Sequence, residues 1–225
     1  MAVANIGAII FDIGGVLAKD VWENMYYQDA DASLVKRYGL NEGEAKKIGK
    51  LLWESFAYVA ETSANKWRDL EIRYWQLFIA FFREQLKGQH VSEESLIADT
   101  DAFIAPIEGI APIVERLQLL GMTLVICSNN NEFWYRRQMA KCDLHRFFHT
   151  SRIVLSCRVG TSKSSPRREM FYAALEAAGL PSSRCLFVDD RQPNVEIARK
   201  CGIDAICFKN VVNLTSELRS RGLDI

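Results

Sequence analysis

The stretch that decides the fold is IGAIIFDIGGVL, Ile6 to Leu17, an apolar run that contains a single carboxylate, Asp12. The four residues before it, Ala8 to Phe11 (AIIF), are typical of a buried strand, which places Asp12 at the carboxyl end of that strand. An ionised aspartate is costly to bury unless something binds it. Gly14 and Gly15 let a loop or a substrate approach the backbone closely. Because ligands of open parallel sheets bind beyond the strand ends, we predict a functional role for Asp12 and substrate binding at Gly15.

Length and composition are those of a globular chain with one sizeable core, or with a core and a smaller module, since 49% of the 225 residues are hydrophobic. The 28 basic residues balance the 28 acidic ones, so neither nucleic acid nor an anionic membrane surface is expected as a partner. Without a basic leader or an apolar run of membrane-spanning length, a cytoplasmic location is expected. The composition leaves monomer and homodimer open.

Six cysteines lie in the second half of the chain and include no C-x-x-C pair: Cys127, Cys142, Cys157, Cys185, Cys201 and Cys207. Several of them fall inside apolar runs such as LVIC and AICF. We therefore predict buried, reduced thiols.

The two parts of the chain differ in composition. All five prolines come after residue 105, whereas four of the five tryptophans come before residue 76. Residues 20–89 lack proline and carry apolar residues at three-to-four spacing, which predicts a bundle of about four helices. The predicted organisation is an α/β core domain of residues 1–17 and 105–225, with residues 18–104 inserted as a helical cap domain.

Beyond Pro106 the chain repeats a cycle of helix, glycine and apolar strand. The predicted helix–strand pairs are 111–120 with 122–127, 169–178 with 185–188, and 193–201 with 205–208. This alternation predicts a parallel sheet with helices on both faces. The strand before Asp12 must join that sheet, because a single parallel strand is not stable alone.

Polar side chains recur at the predicted strand ends: Asp12, Ser128 with Asn129, Lys163 in GTSKSSP, and the pair Asp189 and Asp190. Parallel strands bring their carboxyl ends to one edge, so these groups are expected to converge. Two adjacent acids suit Mg²⁺, which Asp12 would share with Asp189 or Asp190. Lys163 and Ser128 can contact phosphate oxygens, with the Asn129 amide beside them. Asp12 is then left to attack phosphorus.

Each of these positions has a structural alternative. Ser128 and Asn129 could cap the helix predicted at 132–142, and the acidic pair could cap the helix that begins near Pro193. Asp12 taken alone could cap a helix or open a turn. Lys163 could be a solvated surface lysine, although its loop follows the apolar run Ile153 to Leu155 (IVL).

Four segments carry a family resemblance, in this order: FDIGGVL, CSNN, the lysine loop and FVDD. Together they resemble the motifs of the haloacid dehalogenase (HAD) superfamily over nearly the whole chain, and the helical insertion is similar to that family's C1-type cap. The segments FDIGGV, SNNNE and VDDRQPN most resemble the branch of small sugar-phosphatase-like members. The resemblance implies a Rossmann-type, HAD-like fold and a magnesium-dependent phosphomonoesterase of a small phosphorylated metabolite, with sugar phosphates among the candidates.

The resemblance also implies residue roles. Asp12 is the nucleophile that forms an aspartyl phosphate, while Ser128 and Lys163 hold the phosphate. The metal ligands it implies are Asp12, the carbonyl of Gly14, Asp189 and, in support, Asp190.

Three positions depart from the family pattern. Most family phosphatases have an aspartate, the general acid and base, two residues after the nucleophile, where this chain has Gly14. General acid catalysis is worth about a hundred- to ten-thousandfold, so a leaving group that needs little protonation is favoured, as in an anomeric sugar phosphate or an acyl phosphate. The lysine loop reads KSSP instead of lysine followed by proline. Arg191 follows the acid pair and could contact the phosphate or form an ion pair with Asp190, of which the ion pair is favoured.

Two other functions compete with the phosphatase. A dehalogenase of the same fold would use Asp12 to displace halide and would need no acid at position 14, but it would have no need of a metal-binding acid pair. The second is a non-catalytic binding or regulatory protein. A loss of catalysis would explain both the glycine at position 14 and the altered lysine loop.

The aromatic residues of the insertion have two expected uses. Trp67, Trp75 and Phe78 recur at helical spacing with Phe82 and are expected to pack as the core of the bundle. Trp22 and Tyr26 lie near the junction with the core domain, so we consider them candidates for a substrate pocket under a lid.

Overall fold

A computed structural model describes residues 6–27, 33–59 and 66–225. Within them five strands form one parallel sheet in the order β3-β2-β1-β4-β5. The strands are β1 Ala8–Phe11, β2 Thr123–Ser128, β3 Ile153–Leu155, β4 Cys185–Asp189 and β5 Asp204–Cys207. The strand that precedes Asp12 is therefore central, with Ala8 aligned to Thr123 on one side and to Cys185 on the other.

Helices cover both faces of the sheet. Those of the α/β body are α6 Ile110–Leu119, α7 Glu132–Lys141, α8 Ser156–Val159, α9 Glu169–Ala178, α10 Gln192–Lys200 and α11 Val211–Ser220. Those between β1 and α6 are α1 Val21–Tyr26, α2 Leu34–Tyr38, α3 Glu42–Phe56, α4 Lys66–Phe81 and α5 Glu93–Asp101. The α/β class with an inserted helical region is confirmed.

The side chains of β1 alternate between two hydrophobic clusters, one on each face of the sheet. Ile9 and Phe11 belong to the cluster that includes α6, α7, α11 and the inserted helices. Ala8 and Ile10 belong to the other, which α9 and α10 cover. Side chains of a strand point alternately to opposite faces, so a strand buried on both faces must be apolar at every position. This explains the uninterrupted AIIF.

The predicted elements of the body agree closely with the observed ones, apart from one strand. The three helices predicted after Pro106 lie within about one residue of α6, α9 and α10. The sequence pattern predicts no strand at Ile153–Leu155, yet this apolar run pairs with β2 as β3. Three residues are too few to display a pattern, and the neighbouring strand supplies the register.

The inserted helices agree with the predicted bundle in the described part of the chain. Helices α1 to α4 fall between residues 20 and 89, and α5 follows. The parts of the predicted domains at 1–5, 28–32 and 60–65 lie outside the described residues. Trp75, Phe78 and Phe82 are buried as predicted, and Trp67 is half-buried against them.

The insertion and the body share an aromatic core. Trp134 of α7 lies edge-on to Trp75 of α4, with 6.0 Å between ring centroids, and Phe133 packs against Tyr74 at 5.5 Å. Edge-to-face contacts of this kind stabilise beyond the area that they bury. Helix α7, which follows β2, is therefore packed into the cap.

All six cysteines are free thiols, four of them buried and two, Cys201 and Cys207, half-buried. Burial raises the pKa of Cys127 to about 12, so this thiol is a packing residue rather than a nucleophile. Among the described helices, none combines the length and the apolar character needed to cross a bilayer.

Candidate active site

The carboxyl edge of the sheet brings a lysine and two aspartates together. Asp12 directly follows β1, Asp189 ends β4, and Lys163 lies on the loop between α8 and α9. The Lys163 ammonium nitrogen lies 2.7 Å from Asp12 Oδ2 and 2.5 Å from Asp189 Oδ2. The Lys163 side chain is 1% exposed, which rules out the surface-lysine alternative. Its charge instead compensates two buried carboxylates.

The loop that carries Lys163 is anchored to the neighbouring strand end. The backbone N–H of Lys163 donates to Asn129 Oδ1 at 2.8 Å, and Asn129 directly follows β2. Ser128, the last residue of β2, is buried. The cap of α7 is Asn131, whose side chain accepts from the Trp134 N–H at 2.9 Å, so the helix-capping alternative does not apply to Ser128 or Asn129.

Asp189 is oriented by the first turn of α10. The side-chain amide of Asn194 donates to both carboxylate oxygens, at 2.9 and 3.1 Å, and the backbone N–H of Arg191 donates to Oδ1 at 2.9 Å. Burial by itself raises the pKa of Asp189, but the Lys163 ammonium and the Asn194 amide hold it below its ordinary value. Asp189 is therefore a fixed, ionised carboxylate.

Asp12 and Asp190 are less well compensated. Burial raises the pKa of Asp12 to about 7, because the Lys163 ammonium and the Ser128 hydroxyl only partly offset the loss of water. Burial and the neighbouring Asp189 raise the pKa of Asp190 to about 6. Asp12 and Asp190 both resist ionisation beside the ionised Asp189. The three carboxylates therefore need more positive charge than Lys163 supplies.

The three aspartates can supply that charge by holding a cation. One carboxylate oxygen from each of Asp12, Asp189 and Asp190 lies within 4.8 Å of the others. Asp190 Oδ1 is also buried without a hydrogen-bond partner among the described residues. An orphaned oxygen in a cluster of hard oxygen donors suits Mg²⁺, which favours carboxylates and retained water. The residues present thus fit the metal that the sequence predicts.

The two glycines after Asp12 have different surroundings. Gly15 has a φ of +73°, and a Cβ there would lie 2.6 Å from Asp190 Oδ2, so only glycine fits. Its N–H donates to the carbonyl of Ala18 at 2.8 Å, and Gly15 does not line the cavity that lies above Asp12 and Lys163. Gly15 thus lies against Asp190, and substrate binding at Gly15 stays a prediction. Gly14 does line the cavity, and a Cβ there would have open space within 4 Å.

A cavity of about 350 Å³ lies above these groups, between the body and the inserted helices. Asp12, Ser128, Asn129 and Lys163 line it from the strand ends. The residues lining it from the insertion are Asp20, Val21, Trp22, Lys50, Trp53, Glu54 and Tyr58. The site is therefore lined by two parts of the chain.

Three sequence expectations near the cavity have different outcomes. Trp22 lines it as expected, but Tyr26 does not, since it is fully buried with its hydroxyl 3.0 Å from that of Tyr74. The ion pair expected between Arg191 and Asp190 is replaced by one with Asp20, with 3.5 Å between Arg191 Nη2 and Asp20 Oδ2. The loop before α1 brings Asp20 there, and nothing in the local sequence indicates it.

Sequence reasoning missed the face that α3 turns toward the site. Lys50, Trp53 and Glu54 recur at helical spacing on α3, Tyr58 lies just beyond its end, and all four line the cavity. That spacing was readable, but which face of the helix meets the body is decided by tertiary packing. Asn130 and Gln138 were missed as well, and they are joined by a hydrogen bond of 2.7 Å.

The fold and this strand-edge cluster of acids and lysine define a hydrolase of the α/β class with an inserted cap. A family profile described as haloacid dehalogenase-like hydrolase matches residues 6–202. The chain belongs to that family, as the motifs at Asp12, Ser128, Lys163 and Asp189 suggested.

Individual relatives lie at moderate similarity. A Mycobacterium tuberculosis protein named as a phosphatase is 27% identical over 205 residues, which is 89% of this chain and 86% of that protein. Flavin mononucleotide hydrolase 1 of Arabidopsis thaliana is 29% identical over 96 residues, 43% of this chain and only 38% of that protein's length.

Solved structures support the fold. A HAD family enzyme of Bacteroides thetaiotaomicron superposes with a TM-score of 0.68 at 19% identity, covering 92% of this chain and 95% of that one. The same enzyme in complex with magnesium and inorganic phosphate gives a TM-score of 0.66. At this identity the likeness is one of architecture.

Proposed function

We propose that the protein is a magnesium-dependent phosphomonoesterase of a small phosphorylated metabolite and acts through an aspartyl phosphate on Asp12. The observation that carries the proposal is the position of the Lys163 ammonium in the wall of the cavity, 2.7 Å from Asp12 and 2.5 Å from Asp189. The relatives named as a phosphatase and as a flavin mononucleotide hydrolase favour the same class of reaction.

The residues divide the reaction into two displacements. A carboxylate oxygen of Asp12 attacks phosphorus, the bond from phosphorus to the leaving oxygen breaks, and that oxygen departs with the bonding pair. Water then attacks the phosphorus of the aspartyl phosphate, which releases orthophosphate and restores the carboxylate. Lys163 and the Ser128 hydroxyl stabilise the charge on the phosphoryl oxygens in both steps.

Asp12, Asp189, Asp190 and the Gly14 carbonyl would hold the metal. Mg²⁺ supplies positive charge against the phosphoryl oxygens when bound. Asn194 and the Arg191 N–H keep Asp189 in place for that purpose, since both donate to its carboxylate.

Gly14 restricts the substrates that this site can turn over quickly. A glycine cannot protonate the leaving oxygen, and general acid catalysis contributes about a hundred- to ten-thousandfold. Anomeric sugar phosphates and acyl phosphates are therefore the favoured substrate classes, because their leaving groups need little protonation.

The test is an assay of purified protein against a panel of phosphorylated metabolites that includes sugar 1-phosphates and acetyl phosphate. We expect orthophosphate release that requires Mg²⁺ and stops with a chelator. Asp12→Asn should abolish turnover while the protein stays folded, whereas Asp69→Asn, an exposed aspartate on α4, should leave it unchanged. Chelator-insensitive halide release from a haloacid would favour the dehalogenase, and no turnover of either kind would favour a non-catalytic protein.

A further inference from the structure

We infer that the cap side of the cavity recognises a planar aromatic or heteroaromatic ring on the leaving group, an inference that rests on the proposed phosphatase function. Lys50, Trp53 and Glu54 on α3, with Tyr58 just beyond it, form one face of this segment, and all four line the cavity. We call these four residues the α3 face. It places two aromatic rings opposite the strand ends that hold Asp12.

The α3 face is held against the body at its end. Ala57 is fully buried, and its carbonyl accepts from the buried Ser156 hydroxyl at 2.9 Å. Ser156 begins α8 in the α/β body and also accepts from the Asn130 N–H at 2.9 Å, beside the cavity. The Ser156 hydroxyl thus links the end of α3 to Asn130, which lies close to the end of β2. This link holds the rings of the α3 face in position relative to the strand ends.

The aromatic rings of the cavity differ from those of the cap interior in their exposure. Tyr74 and Trp75 are fully buried and complete the core without a ligand. Trp22 and Trp53 are only half-buried, and Tyr58 is 40% exposed. Apolar ring surface left open inside a cavity is what a ring-bearing ligand would cover.

A second observation concerns Trp134, which lines the cavity and is 1% exposed. Its indole N–H is buried and has no hydrogen-bond partner among the described residues. A buried donor without a partner costs free energy, which a ligand carrying an acceptor would recover. Asn130 and Gln138, which line the same cavity, bond to one another through their side-chain amides.

The volume is consistent with such a ligand. Small-molecule pockets span about 300–1,000 Å³, and this one, at about 350 Å³, holds a phosphoryl group and one ring system. The Lys50–Glu54 pair, with 3.9 Å between Lys50 Nζ and Glu54 Oε1, adds two exposed charges to the same wall. These charges neutralise each other, so the wall does not select for a second anionic group.

The experiment compares three acyl phosphates, each of which releases a carboxylate as its leaving group: phenylacetyl, cyclohexylacetyl and acetyl phosphate. The first two have the same carbon skeleton and differ in ring planarity. We expect kcat/KM for phenylacetyl phosphate to exceed that for cyclohexylacetyl phosphate about three- to tenfold, the usual gain from aromatic contacts. Trp53→Leu and Tyr58→Leu should each reduce this ratio toward one. Tyr172→Leu, an exposed ring on α9, should retain the ratio.

Binding supplies a readout that does not depend on turnover. With Mg²⁺ present, calorimetric titration should give tighter binding of 2-phenylethylphosphonate than of 2-cyclohexylethylphosphonate. Tyr58→Leu should reduce the difference even if Trp53→Leu fails to fold. Equal binding of the two phosphonates, or a difference that both variants retain, overturns the inference. Turnover of acetyl phosphate with no preference for the planar ring would overturn it while leaving the proposed function in place. Ring-selective binding without hydrolysis of any phosphate would support the inference and remove the proposed function.

Discussion

Arg137 of α7, in the α/β body, reaches the buried Glu71 of cap helix α4, with 2.6 Å between Nη1 and Oε1. Its other terminal nitrogen lies 2.7 Å from Asp101 Oδ1 on α5. Arg137 and Glu71 are 10% and 6% exposed, so water screens this pair poorly. We conclude that a buried ion pair stabilises the contact between the cap and the body, in addition to aromatic packing.

Arg137→Met should destabilise the protein by about 3–5 kcal/mol, because Glu71 is left buried without its partner. Urea unfolding at neutral pH measures this loss. The double variant Arg137→Met with Glu71→Met should recover most of it, since no unpaired charge remains. A single variant as stable as the parent would contradict a role for the pair.

The same variant should respond to pH. Burial already raises the pKa of Glu71 above its ordinary 4.5 despite Arg137, and loss of the guanidinium removes an effect that opposes the rise. A carboxyl with a higher pKa in the folded state binds protons more tightly there, so stability increases as the pH falls through that raised pKa. Arg137→Met should therefore regain stability between neutral pH and about pH 5, and Arg137→Met with Glu71→Gln should not.

Lys163→Met should lower kcat/KM for acetyl phosphate about a hundredfold or more, since the phosphoryl oxygens lose a charge on the floor of the site. Mg²⁺ binding, followed by calorimetry, should persist, because all three aspartates remain. Lys87→Met, an exposed lysine, serves as the control and should be fully active. Retention of half of the activity by Lys163→Met would assign this lysine a purely structural role.

Gly14→Asp should restore a general acid, because a side chain at this position meets open space in the cavity. Ethyl phosphate, whose alkoxide must be protonated, should then gain about a hundredfold or more in kcat/KM relative to acetyl phosphate. Steady-state kinetics on the two substrates measures the change. Gly14→Ala should fold but show no gain in rate, since it adds bulk without an acid. If Gly14→Asp raised the rates of both substrates equally, protonation of the leaving group would not be the step it improves.

The same kind of substitution at the next residue, Gly15→Ala, should have a different effect from one at Gly14. A methyl group there meets Asp190 Oδ2 at 2.6 Å on a backbone with positive φ, so we expect lost stability together with weakened Mg²⁺ binding.

Much of this arrangement could be predicted from the sequence, because it depends on strand ends. Asp12 and Asp189 each follow an uninterrupted apolar run, and parallel pairing then brings them to one edge whatever the chain between them does. The inserted helices could likewise be predicted as helices from their spacing.

The rest depends on contacts between distant segments. The Arg191–Asp20 pair joins positions 171 residues apart, and the partner of Arg137 is 66 residues away. The cavity face of α3 is set by how the cap packs on the body, and the close contact of Gly15 with Asp190 joins two different strand ends. Local periodicity contains no information on such pairings.

Added Mg²⁺ should stabilise the folded protein through Asp12, Asp189 and Asp190, whose oxygens lie within 4.8 Å of one another. A ligand that binds only the folded state stabilises it by about 2.7 kcal/mol at a hundred times its Kd. For a chain of this size that corresponds to a rise in Tm of roughly 5–10 °C, which a chelator should reverse. Asp190→Asn should diminish the shift, because it replaces an acidic ligand with a neutral amide, while Asp69→Asn should preserve it. A Tm that does not respond to Mg²⁺ in the parent protein would exclude this cluster as the metal site.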